Sequence, residues 1–453
     1  MGGLSRRNTV IEGLRKDGPV VVLDAGNLFW GRATLRDTER AQQLEKARLL
    51  AEGYALVGVD AMLPGAGDLA LGIATVRELA AAYSLPYVAA NLDCGGSNPF
   101  PASVSVDRGG QTLTVIGLVG NSAKEPGCRA TEPMAAARAA IAAAPPGVIV
   151  VLSGQKVQED EALAATFPTV SLIVNGQERK QLERPDALSN GGMLLAAGSR
   201  GKQVGVISYT LTPGATKWRD GQALQQFADQ RESYRNRLAE LKKRQSEAKD
   251  EPTRARIGKQ VSFFEGKLVE VEGSLTDAAT AKEPAHRVTN RLVDLGTDIA
   301  DHAATAALVA KAKVAIQAAE PVSTVSALAN SPFAGSSACT GCHAEPAAQW
   351  GGTAHSRAWS TLVTAGNERD RSCYSCHVTG AFHPDGPQDP GAVAGLEAVG
   401  CEACHGPGKA HVAKPPAVEM IAKPDVSVCV DCHDGKQDGG RFDHATYLPK
   451  VTH

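Results

Sequence analysis

The chain has no histidine before His286, only 4% aromatic residues, no long apolar run and no surplus of charge of either sign. Each absence excludes something. A net charge of −2 over 453 residues gives no electrostatic footprint for a nucleic-acid partner. No run approaches the roughly 20 apolar residues that cross a bilayer, so no transmembrane helix is expected. Met1 to Asp17 is polar, with Arg6, Arg7, Arg15 and Lys16, and has no apolar segment of the signal-peptide kind. Large aliphatic side chains are also scarce after Ala338. Leu362, Val363, Val378, Leu396, Val399, Met420 and Ile421 are among the few, too little for a protein-only core.

What the C-terminal stretch has instead is cysteine followed by histidine. Four C-x-x-C-H motifs occur: Cys339-Cys342-His343, Cys373-Cys376-His377, Cys401-Cys404-His405 and Cys429-Cys432-His433. This is the attachment signature of c-type haem. Two cysteines three apart form thioethers to the two vinyl groups of one haem, and the adjoining imidazole reaches the iron from one face. A pair of four-thiolate zinc clusters would also use eight cysteines, but would leave four histidines in register without a task. Four covalent haems are therefore expected, with His343, His377, His405 and His433 as proximal ligands. The porphyrins would supply the missing apolar material, so the segment should not fold without them.

A sixth protein ligand makes a haem an electron carrier, whereas an open position permits substrate chemistry. The remaining histidines here are His355, His383, His411, His444 and His453, enough to give all four irons a second imidazole. His355, His383, His411 and His444 are the expected distal ligands, with His453 in reserve. The Gly406-Pro407-Gly408 turn makes it awkward for His411 to reach the haem of His405, so a neighbouring haem is its better target. Met420 is expected to pack rather than ligate. The other two of the ten cysteines, Cys94 and Cys128, could equally form a disulfide or remain as two thiols.

The preceding sequence alternates apolar β-rich runs with helical patterns. Strands are expected over 19–25, 55–59, 85–92, 102–106, 113–118, 147–152, 170–174, 193–197 and 204–211. Helices are expected over 38–53, 68–83 and 132–143. Alternation of this kind, with strands apolar on both faces, implies an α/β layered sandwich. From Gln222 to Leu275 two amphipathic patterns flank Glu251-Pro252 and predict an antiparallel helical hairpin. A strand over 286–295, a helix over 297–318 carrying His302, and a Ser/Pro-rich linker over 320–337 follow. His302 is read as a polar-face or interface histidine. The expected divisions are 1–215, 216–278, 279–337 and 338–453.

The first of these resembles the calcineurin-like metallophosphoesterases, in their five-prime-nucleotidase branch. Leu23-Asp24-Ala25-Gly26-Asn27-Leu28-Phe29-Trp30-Gly31 is similar to that family's L-D-A-G-D-x-F-x-G, and Gly53 to Gly72 to its G-Y-D-A…L-G-N-H-E-F-D-x-G. Ala89-Ala90-Asn91, Val115 to Leu118, Val150 to Ser153, Ile173 to Gly176 and Ala197 to Lys202 fit its later strands and turns. The resemblance implies two metal ions held by carboxylate, amide and imidazole groups, yet the ligand positions hold other residues. The bridging Asp is Asn27, the Asn-His pair is Ala66-Gly67, the next His is Gly154, and the G-H-x-H histidines are Gln177 and Arg179. Asp24 and Asp68 survive, as capping or hydrogen-bonded residues. No dinuclear metal centre and no phosphatase activity are expected, although a residual phosphohydrolase or nucleotide binder is an alternative. The family's first strand, bearing D-x-H, has no counterpart in the sequence, which is expected to enter the domain one strand late.

The last division resembles the tetrahaem c554-type cytochromes, through the W-x-x-x-x-H-x-x-A element at Trp350, His355 and Ala358 and the C-E-x-C-H-G-P-G-x-x-H element from Cys401 to His411. That likeness implies closely paired haems, distal histidines donated from elsewhere in the chain, and electron transfer. The expected protein is an exported tetrahaem cytochrome whose redox partners are other cytochromes or a membrane-bound quinone-linked complex. Its phosphoesterase-like domain is expected to be catalytically dead. The alternative is a multihaem oxidoreductase acting on a small nitrogen or sulfur compound at an open haem. Attachment of such haem outside the cytoplasm implies the periplasm or cell exterior, and with it an export signal ahead of this sequence.

Overall fold

The computed structural model describes residues 3–32, 34–121, 125–177, 181–198, 201–280, 283–320, 328–329, 331–415, 417–434 and 441–453. Arg179, Ser199, Arg200 and the linker residues 321–327 lie outside the described residues. Two compact units form, one from 1–34 with 51–305 and the other from 35–50 with 306–453.

The first unit is an α/β sandwich around a six-stranded sheet. Its strands run in the order Ser103–Arg108, Gln111–Leu118, Val148–Ser153, Val170–Asn175, Met193–Leu195, Asp186–Ala187. The four inner strands are parallel and the two edge pairings antiparallel. Alternation divides the apolar side chains between two faces. Val148, Val150 and Leu152 join Leu113, Val115 and Leu172 in one core, with Leu63, Leu69 and Trp218 packed over them. Ile149, Val151, Ile116 and Ile173 face the other way, under the helices Pro133–Ala142 and Val157–Thr166. Glu132 caps the first of these helices, its carboxylate accepting from the Met134 and Ala135 amides. A three-stranded sheet of Gln203–Thr210, Ala285–Asp294 and Lys217–Asp220 follows. The helical hairpin spans Ala223–Glu247 and Glu251–Thr280 and is zipped by Leu238, Leu241, Ile257 and Val261.

Four sequence expectations need correction. Ala55 to Val57 are not a strand but the end of the helix Asp37–Val57, which closes at Gly58, a residue with φ +68° whose amide donates to Tyr54 O. The helix expected over 68–83 is broken at Gly72 (φ +91°) into Ala66–Leu69 and Ile73–Tyr83. Pro86 interrupts the 85–92 run, which pairs only through Tyr87 with Met62 before the strand Leu92–Cys94 begins. The helix expected from Thr297 starts at Ala303, and His302 lies just ahead of it. His302 Nδ1 accepts from the Thr305 amide and Nε2 donates to Glu12, so the ring caps a helix.

The second unit is a chain of short helices, including Ala344–Gly351, Ala358–Ala365, Arg371–Tyr374, Cys401–His405, Lys409–Ala413, Val426–Val430 and His444–Tyr447. One apolar cluster among its described residues holds Phe333, Tyr374, Val378, Val393 and Leu396. Polar contacts do much of the holding. Asp370, 1% exposed, caps the Arg371–Tyr374 helix through the Ser372 amide and takes Lys46 Nζ at 2.5 Å. Glu320, also buried, pairs with the Arg371 guanidinium.

The open choice for Cys94 and Cys128 resolves as a disulfide, joining residues directly opposite on the antiparallel strands Leu92–Cys94 and Cys128–Ala130. The crosslink spans a sequence separation of 34. Replacing both cysteines by serine should lower unfolding free energy by about 2–4 kcal/mol, read by urea denaturation. An unchanged midpoint would mean the bond does not form.

Candidate haem-binding site

Each C-x-x-C-H motif folds as about one helical turn. The His343 amide donates to Cys339 O and the His433 amide to Cys429 O, both at 2.9 Å, and Cys401–His405 is a short helix. At 3.6 residues per turn, positions i, i+3 and i+4 share one face, so both sulfurs and the imidazole point the same way.

The motifs meet one another. Cys376 hydrogen-bonds Cys432, which draws the Cys376 thiol down to about 7 and pushes the Cys432 thiol up. Burial, then the neighbouring Cys401 and Glu402, push the Cys339 thiol up to about 11. Thus the first motif lies beside the third, and the fourth beside both the second and the third.

The imidazoles also pair. His343 and His411 have ring centroids 6.4 Å apart, His355 and His433 6.3 Å, and His405 and His453 5.6 Å. Two imidazoles sharing one metal keep about this spacing. A metal–nitrogen bond is about 2.0–2.1 Å, and each ring nitrogen lies roughly 1.1 Å from its centroid. The donor set therefore fits haem iron, with one ring of each pair from a motif and the other from outside it. Among the described residues no imidazole stands beside His377. His383 packs edge-on against Phe333, and its Nδ1 accepts from the Asp385 amide. A neutral ring then carries its proton on Nε2, the nitrogen that would face a metal. His444 lies near Phe442, 6.4 Å between centroids, with no imidazole opposite.

Backbone carbonyls aim the rings. Nδ1–H of His377 donates to Ala358 O at 2.7 Å, that of His405 to Ile421 O at 2.6 Å, and that of His411 to Val418 O at 2.6 Å. This fixes the tautomer and leaves Nε2 free for iron. Burial and the facing His433 lower the pKa of His355, which favours the neutral, ligating form. The Trp350–His355–Ala358 element acquires a physical reading. Trp350 Nε1 donates to Val399 O, the Val399 amide to His355 O, and the Ala358 carbonyl orients His377. Apolar side chains around the motifs, Val412, Ile421, Val430 and Leu448 among them, are exposed on the protein alone. Porphyrin faces would cover such side chains.

Sequence reasoning passed over two residues here. His453 stands opposite His405, although its place at the chain end marks it only as a spare imidazole. Glu402, 2% exposed, accepts from the amides of Ala334, Gly335 and Gly408. The available signal was a charged residue inside a motif, followed by Gly-Pro-Gly.

At the position of the Asn-His pair, main chain fills the space: a Cβ on Gly67 would lie 1.6 Å from Trp30 O. Asp68 accepts from the amides of Asn27, Phe29 and Gly65. Burial pushes its carboxyl up to about 7 against those bonds. Asp24 accepts from Tyr54 Oη and the Gly26 amide. Ser153 and Asn175 both donate to the buried Asp160, which burial raises to about 6. Gln177, at the first histidine position of G-H-x-H, donates its amide to Asn175 Oδ1.

Residues 338–406 match the family described as cytochrome c554 and c-prime. That segment is similar to the c-type cytochromes. A curated relative, cytochrome c-554 of Nitrosomonas europaea, is 32% identical over 96 residues, which is 18% of this chain and 41% of that protein. The chain thus spans less than half the length of this relative. Among solved structures, similarity is found to the sulfate thiohydrolase SoxB of Thermus thermophilus, with 23% identity and a TM-score of 0.41, over 47% of this chain and 41% of that one. The calcineurin-like phosphoesterase YfkN of Bacillus subtilis gives 13% identity and a TM-score of 0.43, over 70% of this chain and 90% of that one. Covalent c-type haem follows from the cytochrome match, and no helix among the described residues is long and apolar enough to cross a membrane.

Gly67→His should not restore a metal ligand. The collision with the Trp30 carbonyl should lower stability by about 1–3 kcal/mol, seen as a lower Tm with no gain of zinc or manganese by elemental analysis. A bound metal and an unchanged Tm would show that the cage can reopen.

Proposed function

We propose that the protein is an exported tetrahaem c-type cytochrome that carries electrons between redox partners, with a phosphoesterase-like domain that has lost its metal chemistry. The observation that carries this reading is the set of three imidazole pairs, 343 with 411, 355 with 433 and 405 with 453, each at a spacing suited to one iron. Two axial imidazoles leave an iron no substrate position and favour electron transfer. Contact of the first motif with the third, and of the fourth with the second and the third, supports closely spaced haems. The filled ligand position at Gly67 supports loss of hydrolysis. Bound haem supplies the redox change. The chain's own residues orient the rings through Ala358, Ile421 and Val418 carbonyls and shield the iron faces. Attachment of four haems implies maturation outside the cytoplasm, in the periplasm or at the cell exterior. The partners are other cytochromes or a membrane-bound quinone-linked complex.

One observation favours a second reading. His377 has no imidazole opposite it among the described residues, so the haem of the second motif would keep an open face for a small nitrogen or sulfur compound.

Intact mass of the matured protein should equal the chain plus four haems. His355→Ala, His411→Ala and His453→Ala should each convert one low-spin haem to high spin in the optical spectrum, and His444→Ala should convert none. Three haems or fewer in the mass, or a spin change in His444→Ala alone, would contradict the assignment.

A further inference from the structure

Glu402 sits between Cys401 and Cys404, inside the third motif, and its carboxylate is buried. Oε1 accepts from the Ala334 amide at 2.8 Å and the Gly408 amide at 2.6 Å, and Oε2 from the Gly335 amide at 2.7 Å. Those three donors come from two further segments of the unit. Gly335 opens the turn Ser336–Ala338 that leads into Cys339, and Gly408 precedes the helix Lys409–Ala413 that presents His411 to His343. One carboxylate thus ties the third motif to the attachment point and the distal ligand of the first. Gly406, at φ +84° and ψ 174°, takes a conformation open essentially to glycine and lets the chain turn back so that Gly408 reaches the carboxylate.

No cation pairs with Glu402 among the described residues. The nearby Lys409 ammonium is spent on the carbonyls of Leu328 and Ser331. Only amide dipoles face the carboxylate, and a charge-assisted bond to both oxygens is something an amide side chain of the same shape cannot reproduce. A carboxylate buried without a counter-cation interacts strongly with any charge that appears nearby, and ferric haem carries one more positive charge than ferrous.

We propose that Glu402 sets the reduction potential of the haems held by the first and third motifs, favouring their ferric state. This inference rests on the tetrahaem reading, so the wild-type haem count comes first. A count below four sinks that reading and says nothing against Glu402. With four haems present, spectroelectrochemical titration of Glu402→Gln should keep all four haems and their low-spin bands. One or two midpoints should move positive by the equivalent of about a tenfold change in the ferrous-to-ferric ratio, 59 mV for one electron, with the others unmoved. Glu402→Asp, which keeps the charge, should hold the wild-type midpoints. A Glu402→Gln protein with four haems and wild-type potentials overturns the proposal. If Glu402→Gln fails to load haem, loading of Glu402→Asp with wild-type midpoints supports it. Failure of both variants overturns it, because a charge that only tunes potential is dispensable for attachment.

Discussion

The C-terminal unit depends on one constraint, a cysteine–cysteine–histidine face presented by a single helical turn and repeated four times. Among the described residues one cluster of this unit's core is Phe333, Tyr374, Val378, Val393 and Leu396. Side chains that would ordinarily be buried, such as Val412, Ile421 and Leu448, stand at the surface beside the motifs. A covalently held porphyrin at each motif would supply apolar area and remove loop entropy, and so would couple cofactor attachment to folding. The first unit has no such dependence. Its sheet buries apolar side chains on both faces and is closed by helices and a disulfide.

Between the motifs the holding is polar and specific. Asp370 caps the turn that carries Cys373 and is itself held by Lys46, while Arg371 is held by the buried Glu320. Buried ion pairs of this sort add little net stability but are costly to leave half-made, so they fix geometry more than they contribute energy. The same holds for the carbonyls that orient His377, His405 and His411. Ring direction is set by the backbone, and backbone position by hydrogen bonds to residues far along the chain.

That explains what was legible in the sequence. Local patterns were readable: the C-x-x-C-H turns, the hairpin strands 103–108 and 111–118, the strand Val148–Ser153 and the paired long helices all follow from spacing of residues close in sequence. The helix Val157–Thr166 escaped because Gln158, Glu159, Asp160 and Glu161 mask its apolar stripe, and Asp160 points inward to Ser153 and Asn175. Which imidazole faces which motif escaped for a different reason. His453 faces His405 across 48 positions of sequence and His355 faces His433 across 78, and no periodicity reports a contact of that range. The membership of 35–50 in the C-terminal unit was equally invisible, since Gln42 and Lys46 look like ordinary helix-surface residues until they meet Arg371 and Asp370. The replaced phosphoesterase-ligand positions were readable in the sequence, but not the way the Trp30 carbonyl fills the space beside Gly67.

The central claim is that the imidazole pairs 343 with 411, 355 with 433 and 405 with 453 would each hold one haem iron. Electron paramagnetic resonance of the fully oxidised holoprotein, with integrated intensities, tests it most directly. The account predicts that at least three ferric haems are low-spin. Fewer than three low-spin haems would contradict it.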